Sequence, residues 1–491
     1  MQLSASDIIH ENEALVVQQR HLFACVGIAM AVSLPTVLAD GQTTLPPVAP
    51  TNGTLTLALV IQVAEAKYPA IRAAQEQQEA ARNAIGVAKT AYLPRADVLW
   101  QMNRATTNRP NVSLVPQPIV PVPAPPARPV TGHSDWNTAT GVLLAWQPFD
   151  FGVRRSQVGV AKYGYEAAQH ATDLSRLDVE SAAAGAYLDV VAAQQMVAVQ
   201  QAIVNRMETF AKNVHVLVDN TLRPGVDASQ ADAQLALART QLIQAQTQEQ
   251  VRLEALANFL QVPAQQLVID GKDVLSTPLR SQLSETQSEA HPQAQQLAAL
   301  LNQQKEQIQL LSRSYVPSFN LYGSASGLGA GLSSTSSNPV FEGGTSGLAP
   351  NVFNWAVALQ VTFPAFQIFT IHDQKKQQQA QVLSTQAAYV QTLGDLSTRE
   401  RQAMDMLQGA QRVADITPVE VAAARDAERQ QQARYKSGLA TVVDVTTAEA
   451  ALAQAEGDDA VARVNVWRGL AGVAETQGDL TLVLRLLNRQ P

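Results

Sequence analysis

The chain has 491 residues, a formal net charge of −7 at neutral pH and a single cysteine, Cys25. The acidic balance gives no basic surface of the kind that binds nucleic acid, and one cysteine excludes a disulfide framework or a thiolate metal cluster. Charged residues make up only 16% of the chain and aromatic residues 5%, while alanine and glutamine are abundant. This composition is typical of long, closely packed helices.

The N-terminal segment has the features of an export signal. Arg20 precedes an apolar run that ends in small residues at Ala39, so residues 1–39 are predicted to be a signal peptide cleaved after Ala39. The run is too short and too interrupted to indicate a membrane span. Cys25 precedes most of the apolar run, the reverse of the order in a lipoprotein signal, so its lipidation is the minor alternative. Residues 40–54 are predicted to form an extended tether.

The chain contains an internal duplication. Pro69 and Pro94 recur as Pro292 and Pro317 at the same offset of 223 residues, and each pair brackets an alanine- and glutamine-rich stretch. A period this long indicates two copies of one structural unit rather than a solenoid of short repeats. The predicted bounds are 55–261 for the first repeat, 262–290 for an inter-repeat linker, 291–477 for the second repeat and 478–491 for a C-terminal tail.

Each repeat contains two stretches with a period of two, which predicts strands with one apolar face and one small or polar face. In the first, Val98 and Trp100 alternate with Asp97 and Gln101. Strands of about ten residues are long enough to cross a bilayer at a tilt. The four predicted strands cover residues 95–104, 136–147, 317–326 and 352–363.

The loops inside the strand pairs differ in composition. Residues 110–130 are rich in proline and residues 323–350 are rich in glycine and serine. Neither composition favours a regular ladder of strand hydrogen bonds, so both segments are predicted to lie in solvent outside the sheet.

A very long helical stretch follows each strand pair and turns back on itself. We predict helical hairpins at 149–260 and 365–475, with turns at Gly225 and Gly438, where glycine accommodates a positive φ. Roughly 70 helical residues extend about 100 Å. Alternating spacings of three and four indicate coiled-coil seams at Leu174, Leu177, Ser181, Ala184, Leu188 and Val191 and at Leu235, Ala238, Leu242 and Ala245.

Four amphipathic strands cannot close a barrel alone, and an open sheet edge is not tolerated in hydrocarbon. Two chains would give eight strands and three chains twelve. The polar face carries residues such as Asp97, Gln101, Asn354 and Gln360. Side chains of this type favour the wider barrel, because it encloses water.

The chain resembles the TolC-type outer-membrane efflux protein family, the outer membrane factors of tripartite efflux systems. The resemblance covers about Leu55 to Gln477 and includes the order of the duplicated elements. The motifs that carry it are Tyr92-Leu93-Pro94, Tyr315-Val316-Pro317, Gln147-Pro148-Phe149-Asp150-Phe151-Gly152 and Tyr435-Lys436-Ser437-Gly438-Leu439 with Asp444-Val445 following.

The resemblance implies a mostly α fold with a small β part. As a homotrimer, it would form a 12-stranded outer-membrane β-barrel continuous with a long periplasmic α-helical barrel in a Gram-negative bacterium. It also implies two partners, a periplasmic membrane-fusion adaptor and an inner-membrane transporter of the RND, ABC or MFS type. The implied function is a passive exit duct for small molecules. An exit duct for type I protein secretion is the alternative within the family.

The resemblance also assigns roles to the turns of the hairpins. It implies that Asp444, Asp227 and Tyr435 narrow the periplasmic entrance. Asp444 and Asp227 have a second interpretation from their positions alone, because aspartate near a helix start accepts hydrogen bonds from unpaired backbone N–H groups. The implied adaptor contacts are Arg223, Pro224, Gly225 and Val226 in the first turn and Lys436, Ser437, Gly438 and Leu439 in the second.

Four of the five tryptophans fall in the predicted strands, on the apolar face. Aromatic residues of this kind are enriched where a membrane meets water, and we predict that they contact outer-membrane lipid. Arg154 and Arg155, just after the second strand, are predicted either to anchor at that boundary or to be solvated. The four tryptophans are Trp100, Trp136, Trp146 and Trp355.

The sequence provides no constellation of catalytic residues. The seven histidines are scattered, and no phosphate-binding loop or nucleophile elbow occurs, so the protein is predicted not to be an enzyme and to hold no cofactor or metal. The competing interpretation is a periplasmic coiled-coil adaptor or scaffold. That class is expected to have a single hairpin, whereas this chain has two hairpins together with lipid-facing strands.

Overall fold

The computed structural model describes residues 54–106, 134–221, 223–276, 288–330, 332–333, 340–341, 345, 347–350 and 352–487. The predicted signal peptide, nearly all of the predicted tether and the proline-rich segment at 110–130 lie outside the described residues. Thr54 onward forms one unit in which the two repeats pack against each other.

Both repeats have the order helix, strand, strand, long helix, long helix, with an extra short helix at the start of the first. The first repeat consists of α1 (Leu57–Lys67), α2 (Pro69–Thr90), β1 (Arg95–Thr106), β2 (Ser134–Phe149), α3 (Val153–Asp219) and α4 (Gly225–Leu260). The linker contains α5 (Lys272–Leu275) between two 3₁₀ turns, Ala264–Gln266 and Ser288–Ala290. The second repeat consists of α6 (Pro292–Arg313), β3 (Ser318–Ala330), β4 (Leu332–Ser333), β5 (Val340–Phe341), β6 (Val352–Thr362), α7 (Gln367–Lys436) and α8 (Val442–Gln477), followed by α9 (Thr481–Leu487).

The two X-Pro boundaries seen in the sequence are helix starts. Pro69 and Pro292 occupy the first positions of α2 and α6, where a missing N–H costs nothing and the fixed φ suits a helix. The preceding residues Tyr68 and His291 have extended backbones, and the His291 ring accepts a hydrogen bond of 3.1 Å from the Gln293 N–H.

The four long strands form one antiparallel sheet in the order β1-β2-β3-β6, so strands of both repeats pair at its centre. The register aligns Trp100 with Thr140 and Ala325 with Trp355, which puts the apolar positions of all four strands on one face. Most side chains of this apolar face are exposed in the isolated chain. They include Val98, Trp100, Met102, Val142, Leu144, Trp146, Phe353, Trp355, Val357, Leu359 and Val361.

One prediction about the sheet was wrong. The Gly- and Ser-rich segment does not leave the sheet at residue 323, because β3 continues to Ala330 and pairs with β2 and β6. Its glycines permit close approach of backbone: a Cβ at Gly329 would lie 2.3 Å from the Ala349 carbonyl oxygen. Glycine therefore allows this strand to continue, because the backbone at Ala349 occupies the space that a side chain at Gly329 would need.

The long helices pack along the predicted seams. In α3, Leu177, Ala184, Leu188 and Val191 are buried, and in α4 Ala238 is buried. The remaining predicted seam residues are half-buried, namely Leu174, Ser181, Leu235, Leu242 and Ala245. Spacings of three and four thus mark the contact faces in both helices.

The main hydrophobic core lies where the linker crosses the helices. Tyr187 and Trp467 are completely buried there, and the Trp467 indole N–H donates to the Ser276 carbonyl over 3.0 Å. The Tyr187 hydroxyl donates to Asp273 Oδ1 over 2.8 Å, while Asp273 Oδ2 accepts from the Leu57 N–H over 2.9 Å. The linker therefore fastens the start of the first repeat to the middle of α3 instead of merely joining the halves.

Arg154 belongs to the interior of the junction between sheet and helices, which corrects the prediction of an interface anchor or a solvated side chain. It is only 6% exposed and forms an ion pair with Asp150 at 2.8 Å. Its guanidinium also donates to the carbonyl oxygens of Ala91 and Gln147 and lies 4.9 Å from the centre of the Tyr92 ring. Arg154 thus connects α2, β2 and α3 at the point where the chain changes from strand to helix.

Candidate functional site: the tips of the two helical hairpins

The first hairpin turns between α3 and α4. Thr221 has a left-handed backbone with φ of 58°, and Pro224 is the N-cap of α4 with an extended backbone. Gly225 is the first residue of α4 and does not have a positive φ, so the prediction that it supplies the left-handed turn was wrong. Here the left-handed position falls on Thr221, at the end of α3.

The second hairpin turns at Gly438, which has the predicted left-handed backbone with φ of 79°. The Gly438 N–H donates to the Tyr435 carbonyl and the Leu439 N–H to the Arg434 carbonyl, an arrangement that satisfies the last carbonyls of α7. A side chain at Gly438 would be strained by this φ whatever space surrounds it.

The two tips are joined by Arg223. Its guanidinium donates to the Tyr435 carbonyl over 2.7 Å and to the Ala440 carbonyl over 3.4 Å. It also lies 4.4 Å from the centre of the Tyr435 ring, within the range of a cation–π contact. Arg223 belongs to the first hairpin and Tyr435 to the second, so this contact fixes one hairpin against the other.

Tyr435 is buried between the hairpins. It is 3% exposed, and its ring lies 5.5 Å from the ring of Phe210. Its hydroxyl donates to Asp227 Oδ2 over 3.5 Å, a long contact. Burial and the Asp227 carboxylate raise the pKa of Tyr435 above its ordinary value. Tyr435 and Asp227, predicted separately as entrance residues, thus lie together with Arg223.

An apolar cluster packs around Tyr435 next to these contacts. Residues of α3, α4, α7 and α8 meet in it, and they are buried although they lie close to the ends of the hairpins. The cluster consists of Phe210, Ala211, Val214, Ala228, Ala231, Tyr435, Ala440, Val442 and Val445.

The extreme ends of both tips are exposed. Val226 is 58% exposed and Leu439 71% exposed, which leaves an apolar side chain in solvent at each turn. Pro224, Lys436 and Ser437 are also exposed, and only Arg223 of the predicted adaptor contacts turns inward toward the other hairpin. The role of these residues in docking stays a prediction.

Asp444 caps α8. Its carboxylate accepts from the Thr441 N–H over 2.7 Å, while the Asp444 N–H donates to the Thr441 hydroxyl oxygen, which completes a capping box. The hydrogen bond from the Thr441 backbone holds the pKa of Asp444 below its ordinary value. The carboxylate stays exposed, so capping leaves it in contact with solvent.

The aromatic residues predicted at the membrane surface have different surroundings. Trp100, Trp146 and Trp355 are exposed on the apolar face of the sheet, and Trp355 is 73% exposed. The Trp146 indole N–H donates to the Tyr92 carbonyl over 3.2 Å. Trp136 is half-buried, with the Arg104 guanidinium 5.6 Å from its ring centre.

A group of charged residues that the sequence analysis did not single out lies between the hairpins, on the sheet side of the tips. We call Arg206, Arg425, Glu428, Glu449 and Glu456 the charge cluster. Arg206 donates to Glu449 over 3.1 Å and to Glu456 over 2.9 Å, and Arg425 donates to Glu456 over 3.1 Å. The signal in the sequence is Glu449, which lies between Val445 and Leu452 at spacings of four and three, a pattern normally filled by apolar side chains.

The described part of the chain contains no group of three or more His, Cys, Asp or Glu side chains placed to hold a metal ion. An exposed apolar sheet combined with two long hairpins that are joined at their tips is the arrangement expected of an outer-membrane channel protein. The sequence profile described as outer membrane efflux protein matches residues 60–260 and 283–473. The chain therefore belongs to the outer membrane efflux protein family.

Solved structures of three bacterial outer-membrane proteins have the same fold. VceC of Vibrio cholerae is 16% identical with a TM-score of 0.69, covering 86% of this chain and 96% of VceC. The CmeC channel of Campylobacter jejuni is 17% identical with a TM-score of 0.68, covering 88% and 89%. The open state of the MtrE channel of Neisseria gonorrhoeae is 19% identical with a TM-score of 0.69, covering 86% and 89%. A search of curated protein sequences found no match.

Proposed function

We propose that three copies of this chain form a passive exit duct for small molecules, which spans the outer membrane and extends through the periplasm. The observation that carries the proposal is the sheet. Its apolar face exposes large side chains, with Val98 77% and Val357 68% exposed, on strands of 11 to 16 residues. A surface of this kind on strands of this length is suited to hydrocarbon.

The strand order supports closure by several chains. β1 and β6 are the edges of the sheet, so each chain carries two long unpaired edges. Backbone groups on such edges must be paired in a bilayer, and pairing β6 of one copy with β1 of the next satisfies them. The opposite face carries Asp97, Gln101, Asn354 and Gln360 on alternate positions. Polar side chains on that face favour a water-filled lumen. A barrel of twelve strands is wide enough to enclose water, so it fits these residues better than a barrel of eight.

The helices supply length. α3 has 67 residues and α7 has 70, so each extends about 100 Å. Helices of this length would extend the duct far from the membrane into the periplasm. There it would meet an adaptor and an inner-membrane transporter of the RND, ABC or MFS type, which supplies the energy. The exposed apolar side chains at the tips, Val226 and Leu439, are suited to contact with the adaptor.

At the tips, the contacts of Arg223, Tyr435 and Asp227 would hold the periplasmic entrance narrow. Asp444 lies one turn beyond the second tip, and its exposed carboxylate is ionised at neutral pH. Three such carboxylates around one axis would form a ring that favours cations. The capping bonds of Asp444 are compatible with this role, because they leave the carboxylate in contact with solvent.

Two alternatives remain distinct from the proposal. A periplasmic adaptor or scaffold is disfavoured by the apolar face of the sheet, because exposing a large apolar surface to water is unfavourable. An exit duct for secreted proteins shares the architecture and differs in the transporter that it serves.

The first test is the native mass of the full-length protein extracted in detergent from isolated outer membranes. A trimer in that fraction is the expected result. A monomer, or protein found only in the soluble periplasm, would refute the duct and favour the scaffold.

The ring of Asp444 is tested separately by reversal potentials of the reconstituted channel. Asp444→Asn keeps an acceptor for the Thr441 N–H and removes the charge, so cation selectivity should fall while the capped helix survives. An unchanged reversal potential would refute the ring without touching the duct.

A further inference from the structure

Two helices of the second repeat meet end to end at His291. α8 runs from the second hairpin tip to Gln477, and α6 begins at Pro292 and leads to β3. His291 is the N-cap of α6 and is buried. A Cβ at Gly478, the C-cap of α8, would lie 2.8 Å from Pro292 Cδ, so the two helix ends are in close contact. His291 therefore lies where the sheet half of the repeat joins the tip half.

Both nitrogens of the His291 ring form hydrogen bonds at this junction. Nδ1 accepts from the Gln293 N–H over 3.1 Å, and Nε2 lies 3.3 Å from the Glu475 carbonyl oxygen. A backbone N–H can only donate and a carbonyl oxygen can only accept, so Nδ1 must lack a proton and Nε2 must carry one. This is the neutral form of histidine. The first bond caps α6, and the second ties that cap to the last turn of α8.

A second proton on the ring would break the cap. In the imidazolium form Nδ1 also carries a hydrogen, so it and the Gln293 N–H would be two donors facing each other. The N–H at the helix start would lose its partner, and a positive charge would be placed in a buried position. The packing of α6 on the end of α8 thus requires a neutral His291.

The first repeat forms the corresponding junction with a different residue. Tyr68 precedes Pro69 and lies 223 residues before His291, which is the offset of the duplication. The Tyr68 ring lies 5.3 Å from the ring of Phe259, near the end of α4, and its side chain forms no capping hydrogen bond. Contact between two aromatic rings does not depend on a bound proton. Only the second of these two junctions therefore rests on the protonation state of a side chain.

We propose that His291 is an acid-sensitive joint, which holds α6 against the end of α8 while its ring is neutral and releases it when the ring is protonated. The charged groups that face the ring are Asp178 from α3, Arg399 from α7 and Glu475 from α8. The joint uses contacts within one chain. It therefore stands or falls independently of the proposed duct.

The electrostatics agree with the geometry. Burial lowers the pKa of His291 below its ordinary value of 6.5, against the raising effects of the Glu475 carbonyl and the Asp178 carboxylate. Because the pKa is lowered on folding, the stabilisation is complete above pH 6.5 and is lost as the pH falls from 6.5 toward the folded pKa. Asp178 acts in the opposite sense, since burial and the Glu475 carboxylate raise its pKa and acid then favours the folded form. Loss of stability in acid is thus the signature of His291.

Hydrogen exchange at the first turn of α6 measures the release. For one proton taken up at the ordinary pKa of 6.5 in the opened form, amide protection of residues 293–297, corrected for intrinsic rates, should fall severalfold between pH 7 and pH 5.5. The limit for one proton is about eightfold. Residues 70–74, in the first turn of α2, are the internal control, and their protection should change less than about twofold.

His291→Asn separates the titration from the fold. Asparagine is a favourable N-cap that accepts from a helix N–H and does not titrate, so protection of α6 in this variant should change less than about twofold between the two pH values. His372→Asn, at an exposed histidine on α7, is the matched control and should keep the severalfold loss.

Exchange of the imidazole C2 hydrogen, followed by mass spectrometry of the full-length protein in detergent, supplies a direct readout that needs no variant. The midpoint of His291 should lie below 6.5, whereas that of His215, whose pKa is raised by its hydrogen bond to Asp232, should lie above it. A midpoint of His291 at or above 6.5, equal protection of α6 at the two pH values, or the same loss in His291→Asn would overturn the proposal.

Discussion

Replacing Arg223 with glutamine should weaken the contact between the hairpin tips. The substitution removes a charged donor at 2.7 Å from the Tyr435 carbonyl and a cation at 4.4 Å from the Tyr435 ring. A hydrogen bond from a charged group contributes about 1.5–3 kcal/mol and an exposed cation–π contact about 0.5–1 kcal/mol. Arg223 is half-exposed, so we take the lower ends, about 2 kcal/mol in each chain. That value corresponds to about a 30-fold change in the equilibrium between joined and separated tips.

The assay is single-channel recording of the purified protein in planar bilayers. Arg223→Gln should increase the fraction of time spent in the larger conductance state. The matched control is Arg239→Gln, which loses the same charge from an exposed ion pair with Glu208 inside the first hairpin. An exposed pair of this kind contributes about 0–1 kcal/mol and does not connect the hairpins, so the control should conduct like the unmodified protein.

The reasoning fails if Arg223→Gln leaves conductance and open time unchanged. It also fails if Arg239→Gln produces the same increase, because the effect would then follow net charge and not the contact with Tyr435. A lower melting temperature of Arg223→Gln without any change in conductance would mean that the contact supports the fold alone.

Two further predictions concern buried and exposed aromatic residues. In single-tryptophan variants reconstituted into brominated lipid, the fluorescence of Trp100, Trp146 and Trp355 should be quenched, whereas that of completely buried Trp467 should not; equal quenching of all four would contradict the lipid-facing sheet. Tyr187→Phe should reduce the free energy of unfolding in detergent by about 1.5–3 kcal/mol, because it removes the 2.8 Å hydrogen bond from this hydroxyl to the Asp273 carboxylate. An unchanged denaturation midpoint would show that this bond does not fasten the linker.

The repeating elements could be predicted because each has its own period. The predicted strands begin and end within a few residues of the observed ones. The exception is β3, where the glycines were interpreted as a break in the strand. Local pattern gives no information about Ala349, whose carbonyl oxygen occupies the place of a side chain at Gly329. The left-handed residue Thr221 was missed for a similar reason, since threonine has no preference for that conformation.

The site could be predicted only in part. Tyr435 and Asp227 were predicted as entrance residues from the family resemblance, and that role stays a prediction. Nothing in the sequence joins Arg223 to Tyr435, which lies 212 residues further along the chain. The charge cluster is a contact between three helices of both repeats, so no single segment contains its pattern. Glu449 could have been found, because an acid at an apolar seam position must have a partner when it is buried.

The pairing of β2 with β3 has a consequence for how the chain reaches its native state. Asn137 and Ala330 are partners in this pair although they are separated by about 190 residues. The middle of the sheet therefore forms only when distant parts of the sequence meet. During synthesis the first repeat is finished long before β3 exists, and its apolar strand β2 has no permanent neighbour on that side. Such a delay slows folding and leaves the apolar face of β2 open to aggregation until the second repeat has been made.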